Sequence, residues 1–561
     1  MMTNRATWRD HLAGALLALV YVMALFATAD DIGMSRDESF YVHAAHQYGA
    51  WFQSAWETPS EAFSAEGVTR GWQYNNEHPA LIKSLFALSW VAHSTWDIFP
   101  NESMAHRFPA MVSAGLLLWL ISIFGTQLFS RRVGWIAALL FALMPRIFYH
   151  SHLNCFDIPI TLMVTWVVYC YWRSLADRRW VLWLGVSFGC ALATKHNSWL
   201  LPIIFGIHWV WLNRVERSMR SQGFPAEVSL FPWWLVGMCT IGPLIFVGSW
   251  PWLWHDTLPR IGNYIGFHVN HDYYNIAYLG ETYFEPPFPV SYPFLMTFFT
   301  LPLLLSGLAL AGLWLRMRAI VPSWAAGLVR RFPAAVPDRR RTDVLLFGCL
   351  LAPLALIALP TSPIFGGTKH WFTAYPFLVI YAGVAFETLI TSLQALKVQW
   401  LPRWATAPLV TLLMLTPCLV ETVHSHPFGL SYYSYAAGGV PGAADRGLNR
   451  QFWGFTTRSL TPFISERLSE GGSVFLCDTT SGAWHRLQDD GHVPRNIRGS
   501  MAIPTSDLAL VHYERHFVEV DFQAWTAYQT VQPVEVLTYE GVPLITVYER
   551  ASSSGGAAQQ Q

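Results

Sequence analysis

At 561 residues the chain is long enough for several soluble domains, but 53% of it is hydrophobic and only 13% charged, about half the charged share of soluble domains. Much of its surface must therefore face lipid. With a formal net charge of zero it has no basic field to hold nucleic acid, and its seven scattered cysteines show neither metal-ligand spacing nor a disulfide framework.

A spanning helix needs roughly 20 mostly apolar residues. In chain order, spans are predicted at 11–29, 108–128, 133–149, 158–172, 181–194, 198–213, 230–250, 293–315, 344–360, 371–389 and 405–424. The first is too long for a typical signal core and lacks a clear small-residue cleavage site, so it reads as an uncleaved helix. Orientation follows from Lys and Arg. With the N-terminus cytoplasmic, one set of loops collects Arg5, Arg9, Arg131, Arg132, Arg173, Arg178, Arg179, Arg214, Arg217, Arg220, Arg316, Arg318, Arg330, Arg331, Arg339, Arg340, Arg341, Lys397 and Arg403. The opposite loops hold only Arg36, Arg70, Lys83, Arg107, Arg146, Lys195, Arg260 and Lys369. That bias places the C-terminal part outside.

Two outer loops are long, 30–107 and 251–292. In the first, Pro79 to Ala92 is apolar but short, which predicts an interfacial or re-entrant helix. Residues 1–424 form the membrane module. From 425 to 550 the pattern changes to strand-like stretches (Ser473 to Cys477, Leu508 to His512), a helical stretch near Thr461 to Ser469, and a hairpin from Val534 to Tyr548 turning at Glu540-Gly541. The expectation is a small extracytoplasmic α/β domain followed by a disordered, low-complexity tail at 551–561. The fold class is thus a polytopic α-helical membrane protein with about eleven spans.

Polar residues at the outer face are the informative ones, because charged side chains kept at bilayer depth usually line a cavity. Ser35-Arg36-Asp37-Glu38 follows the first span; its paired carboxylates suit base work, or equally a helix start with Ser35 or Asp37 as N-cap. Asn75-Asn76-Glu77-His78-Pro79, with Lys83 one turn on, reads as a polar-ligand or metal site, or as a plain surface loop. Asp157 closes the run from His150 and either caps a helix or completes an acidic site. Thr194-Lys195-His196-Asn197 and Gly366-Gly367-Thr368-Lys369-His370 each put a Lys beside a His. One such Lys simply snorkels; two on one face fit an anion such as phosphate. The loop 251–292 mixes His255, Asp256, His268, His271, Asp272, Glu281 and Glu285 with aromatics, as a sugar site or an interfacial belt does.

In order, these segments resemble the GT-C superfamily, specifically glycosyltransferase family 39, the protein-O-mannosyltransferase and aminoarabinose-transferase branch. Arg36-Asp37-Glu38 is similar to the family's Asp-Glu pair, and Glu77-His78-Pro79-Ala80-Leu81 to its His-Pro-Pro-Leu motif, with Ala80 in place of the second Pro. Arg107-Phe108-Pro109, Phe156-Asp157-Ile158-Pro159, Gly185 to Thr194-Lys195, and Lys369-His370 with Pro376 resemble later motifs; Lys369 stands where Arg is common. The resemblance covers about residues 10–390. His426-Pro427, Leu430-Ser431-Tyr432-Tyr433, Gly438 to Ala443 and Phe452-Trp453-Gly454 resemble a further subset of bacterial proteins like this family.

The resemblance implies an inverting transfer from a polyprenyl-phosphate (dolichyl-phosphate-type) sugar to a hydroxyl of a protein, lipid or glycan acceptor, at the outer face of a bacterial inner membrane. Asp37 would be the general base, with Glu38 and Asp157 orienting acceptor or sugar. Glu77, His78 and Arg107 would bind substrate, and Lys195, Lys369 and His370 would neutralise the leaving phosphate. A divalent metal on Glu77, His78, His255 and His268 is conceivable in this branch, but no ligand spacing compels one, and no essential cofactor is expected. The rival class is a transporter or lipid flippase, which would place its charges in repeat-related positions at the bilayer centre; here they crowd one face and no repeat is evident.

Overall fold

The computed structural model describes residues 5–221, 229–317, 340–364, 366–396 and 402–551. The tail 552–561 and the basic positions Arg318, Arg330, Arg331, Arg339 and Lys397 lie outside them.

Each predicted span falls largely on helix in its described residues, with ends such as 193–194, 230–232 and 358–360 outside it. Two are interrupted, and for the same reason: the residue before a proline is driven out of the α region. Met144 is extended ahead of Pro145, dividing 133–149 into Arg131–Ala142 and Pro145–His150. Leu301 is extended ahead of Pro302, dividing 293–315 into Tyr292–Thr300 and Leu303–Met317. Among the described residues, four helices are by length and composition able to cross a membrane alone: Trp8–Asp31, Glu102–Leu128, Gly367–Ala395 and Trp404–Ser425. Shorter apolar ones are Trp180–Leu192, Trp233–Gly248, Leu303–Met317 and Thr342–Ile357. In Trp8–Asp31 and Trp404–Ser425 only 28% and 22% of the most apolar window is buried, against 72% in the other two long helices. Two central helices are thus flanked by two whose apolar sides are left to lipid. The chain is a helical membrane protein.

Where bilayer rather than water surrounds helices, close approach of small residues drives their packing. Gly312 shows how close: a Cβ there would lie 1.8 Å from the Tyr381 carbonyl oxygen, so helix Leu303–Met317 crosses helix Tyr375–Ala395 backbone to backbone.

The long segment 30–107 folds into helices, chiefly Arg36–Glu57 and Leu81–Trp96; the segment 251–292 carries helix Thr257–Val269 and a short hairpin, Ile276–Tyr278 with Glu281–Tyr283. Beyond residue 425 lies a five-stranded sheet in the order Ile497–Ser500, Gly472–Phe475, Leu508–His512, Val542–Glu549, Glu535–Tyr539. The first three strands are parallel and the last two pair antiparallel. The expected hairpin turns at Glu540 and Gly541, both with positive φ, as a two-residue turn matched to strand twist requires. This region sits on the start of segment 30–107 through Asp31–His426 (3.0 Å), Asp30–His492 (3.3 Å) and Asp30–Arg458 (3.7 Å).

Gly312→Leu is expected to lower the melting temperature of the detergent-solubilised protein by several degrees, since forced overpacking costs about 1–3 kcal/mol. Gly307→Ala on the same helix, where a Cβ meets nothing within 4 Å, should leave it unchanged; equal melting curves for all three proteins would refute the close crossing.

Candidate active site

Helix Arg36–Glu57 starts from an extended Ser35 and carries Asp37 and Glu38 in its first turn, where carboxylates complement the helix dipole. Three consecutive residues there leave the axis in different directions, each rotated about 100° from the last, and each meets a different part of the protein.

Glu38 turns inward and is fully buried. It accepts from Arg107 Nε (2.9 Å) and Nη2 (3.1 Å), the Ser35 backbone N–H (2.9 Å) and the Asn154 backbone N–H (3.2 Å). Arg107 in turn donates from Nη1 to Ala29 O and Ile32 O and from Nη2 to Gly33 O. The helix-start reading of Ser35 and Glu38 thus holds, and Glu38 and Arg107 brace the site rather than line it.

Asp37 turns toward the membrane module. Its Oδ2 accepts from Lys369 Nζ at 2.7 Å, and its side chain keeps 25% exposure. Lys369 is buried, its ammonium 4.2 Å from the centre of the Trp453 ring. Trp453 has φ +64, an outlier for a bulky residue and a mark of strain kept at functional sites. The ring lies against Gly366, where a Cβ would come within 2.3 Å of it.

Arg36 turns to the C-terminal region: Nη1 donates to Asp478 Oδ1 at 3.0 Å, and its backbone N–H to Trp453 O at 2.9 Å. Beyond Asp478 lies Glu514. Burial raises both carboxyls above their ordinary range and Arg36 opposes it; Asp37 raises Asp478 further, and Asp478 raises Glu514.

Asp157 opens helix Asp157–Ser174 and accepts from Lys195 Nζ at 3.0 Å; His150 Nδ1 is 3.3 Å from its other oxygen. A second carboxylate–lysine pair therefore lies near the first, both partners buried. Of the remaining predicted residues, Glu77 accepts from Asn75 Nδ2, and its carbonyl lies 2.9 Å from His268 Nε2. His78 is enclosed by the rings of Tyr41, Phe156 and His268. Burial holds His78 and His196 below the ordinary imidazole range and His268 down to about 4, so this ring cluster is neutral near pH 7. His370 is reached through its carbonyl, from Asn197 Nδ2. His255 Nε2 lies 3.3 Å from Phe63 O, away from the Glu77 group. Among the described residues no three His, Cys, Asp or Glu side chains are grouped to hold a metal ion.

Residues 78–235 match the family model described as dolichyl-phosphate-mannose-protein mannosyltransferase; the segment runs from His78 through Arg107, Asp157 and Lys195. The match supports membership of the GT-C superfamily of glycosyltransferases. No curated protein matches the chain. Similar solved structures include ArnT from Cupriavidus metallidurans bound to undecaprenyl phosphate, with 14% identity, TM-score 0.48, and 97% of this chain and 98% of that one covered. The oligosaccharyltransferase of Archaeoglobus fulgidus in the apo form is similar at 13% identity and TM-score 0.47, over 88% of this chain and 64% of that one. The arabinofuranosyltransferase AftD from Mycobacteria is similar at 13% identity and TM-score 0.43, over 99% and 41%.

Trp453 and Asp478 were not among the predicted site residues. Trp453 stood in a recognisable Phe-Trp-Gly run, but Asp478 is 442 residues from Arg36 and nothing in its neighbourhood marks it. Two measurements follow from this geometry. Arg107→Met leaves Glu38 buried and unpaired, an error worth about 3–5 kcal/mol; it should lower thermal stability far more than Asp37→Asn, and similar melting temperatures would overturn the brace. Glu514 has its pKa raised on folding, so its contribution to stability is present at low pH and lost as pH rises. The melting temperature of Glu514→Gln should therefore gain on wild type as pH climbs from 4 to 7, and parallel curves would contradict it.

Proposed function

We propose that the protein is an inverting glycosyltransferase, moving a sugar from a polyprenyl-phosphate donor to an acceptor hydroxyl at the outer membrane face. The observation that carries this is the Asp37–Lys369 pair: a partly open carboxylate held at 2.7 Å by a buried ammonium, with the buried Asp157–Lys195 pair near it. The family-model match supports a transferase of this kind, and ArnT's undecaprenyl phosphate agrees with the donor class.

Asp37 takes the proton of the acceptor hydroxyl as its oxygen bonds to the anomeric carbon from the face opposite the phosphate. The carbon–oxygen bond to phosphate breaks, and its electron pair leaves on the phosphate. Lys195 and Lys369 offset the charge that develops there, a task cations do best away from water. Asp157 holds Lys195 in place through a contact of 3.0 Å. Glu38 and Arg107 fix the turn carrying Asp37, and His78, with Glu77 behind it, walls the acceptor side. The C-terminal region lies on the outer face with the site, and the N-terminus is cytoplasmic. The acceptor is a protein, lipid or glycan hydroxyl. No divalent metal is required, since His268 and His255 are turned to backbone carbonyls.

Radiolabelled polyprenyl-phosphate sugars supplied to membranes should be used by wild type and not by Asp37→Asn, which is expected to fall by about 10²–10⁴-fold. Unchanged transfer by the variant removes Asp37 from the base role. No transfer from any lipid donor, with transport of a lipid or solute instead, favours the transporter. Full activity after exhaustive chelation is expected; loss restored only by a divalent ion defeats the metal-free reading.

A further inference from the structure

Arg146 belongs to none of these pairs. It is the second residue of helix Pro145–His150 and is 2% exposed. Nε and Nη2 donate to the Tyr432 carbonyl oxygen at 3.3 and 3.2 Å, and the guanidinium packs on the rings of Tyr433 and Phe452. Nη1 is buried with no hydrogen-bond partner, and no carboxylate among the described residues forms an ion pair with this side chain. A guanidinium cannot shed its charge, and a buried charge without a counter-charge is strongly unfavourable. The arrangement is one anion short.

The space beside Nη1 is shaped by glycine. Gly366 and Gly367 both have positive φ (+65° and +70°), and a Cβ on Gly367 would stand 3.3 Å from the Phe452 ring and 3.5 Å from Nη1, so a side chain there would fill the space beside the guanidinium. The same turn continues into Thr368, whose Oγ1 is buried without a partner, and then Lys369. His150, on the helix of Arg146, is fully buried; its Nδ1 faces Asp157 at 3.3 Å, while its Nε2 has no hydrogen-bond partner. Unsatisfied buried donors are rare in folded proteins and need a reason. Here they converge on one turn, next to the Asp37–Lys369 pair.

We propose that Arg146 Nη1, Thr368 Oγ1 and the Gly366–Gly367 turn form a phosphate seat that holds the phosphate of the polyprenyl donor. The assignment rests on that donor reading. A guanidinium fork is the side chain best matched to phosphate oxygens. After transfer the phosphate gains a negative charge, so the seat should grip the spent polyprenyl phosphate more firmly than the donor.

The test measures binding, not turnover. Wild type, Arg146→Gln, Arg146→Lys, Thr368→Val and Asp37→Asn are placed in nanodiscs and titrated with short-chain polyprenyl phosphate and, separately, with inorganic phosphate. Wild type should bind the lipid phosphate, and Asp37→Asn, which frees Lys369 from its carboxylate, should bind it no more weakly. Arg146→Gln should bind at least about tenfold more weakly, roughly the loss of one charge-assisted hydrogen bond, with Arg146→Lys between and Thr368→Val weakened a few-fold. The ligand-free melting temperature of Arg146→Gln should not fall below that of wild type, because an unpaired buried charge has been removed. A lower melting temperature with unchanged affinity would show a structural residue and overturn the seat. Wild-type binding with Arg146→Gln and Thr368→Val both unaffected overturns it while leaving the donor reading intact. Wild type that binds neither ligand defeats the donor reading itself, and binding of inorganic phosphate alone refutes the lipid assignment.

Discussion

The site hangs on the buried pair of Arg107 and Glu38. All five guanidinium N–H groups are used: two on the carboxylate, three on the carbonyls of Ala29, Ile32 and Gly33. Removing two charges from water is costly and is offset only when every donor and acceptor is met. That requirement clamps the link between the first membrane helix and the outer helix Arg36–Glu57. It also fixes the rotation of the first turn, so that Asp37 cannot drift from Lys369.

From that turn the structure divides its labour by neighbouring residues: Arg36 to the C-terminal sheet, Asp37 to the late membrane helix, Glu38 to the second. On the proposed reading, the carboxylate that serves as base must be held without being sealed. Both pairs are largely buried, and of the two carboxylates Asp37 is the more open, at 25% against 6% for Asp157. The Trp453 ring adds to the hold on Lys369 without adding a negative charge, since a cation over an indole face is attracted by the ring itself.

Much of this was legible in the residues. The apolar runs located the helices, because a 20-residue apolar stretch has few other uses, and the hairpin at Glu540-Gly541 announced itself by turn chemistry. Pro145 and Pro302 broke two predicted spans, an effect visible in the sequence but overlooked by a count of hydrophobicity alone. The pairing of residues was not legible. Asp37 with Lys369 and Arg36 with Asp478 join positions hundreds of residues apart, and no local pattern encodes which distant partner a charge will meet. Glu38 shows the same limit from the other side. It sat in a motif that suggested chemistry, yet burial beside Arg107 makes it a strut.

The Arg36–Asp478 contact also has a consequence in time. Its two partners are separated by 442 residues, which a ribosome working at about 5–20 residues per second needs roughly 20–90 s to cover. Until then helix Arg36–Glu57 has no Asp478 or Trp453 to close against. The closing contacts come from segments made hundreds of residues later, so a chain halted before Trp453 leaves this turn open.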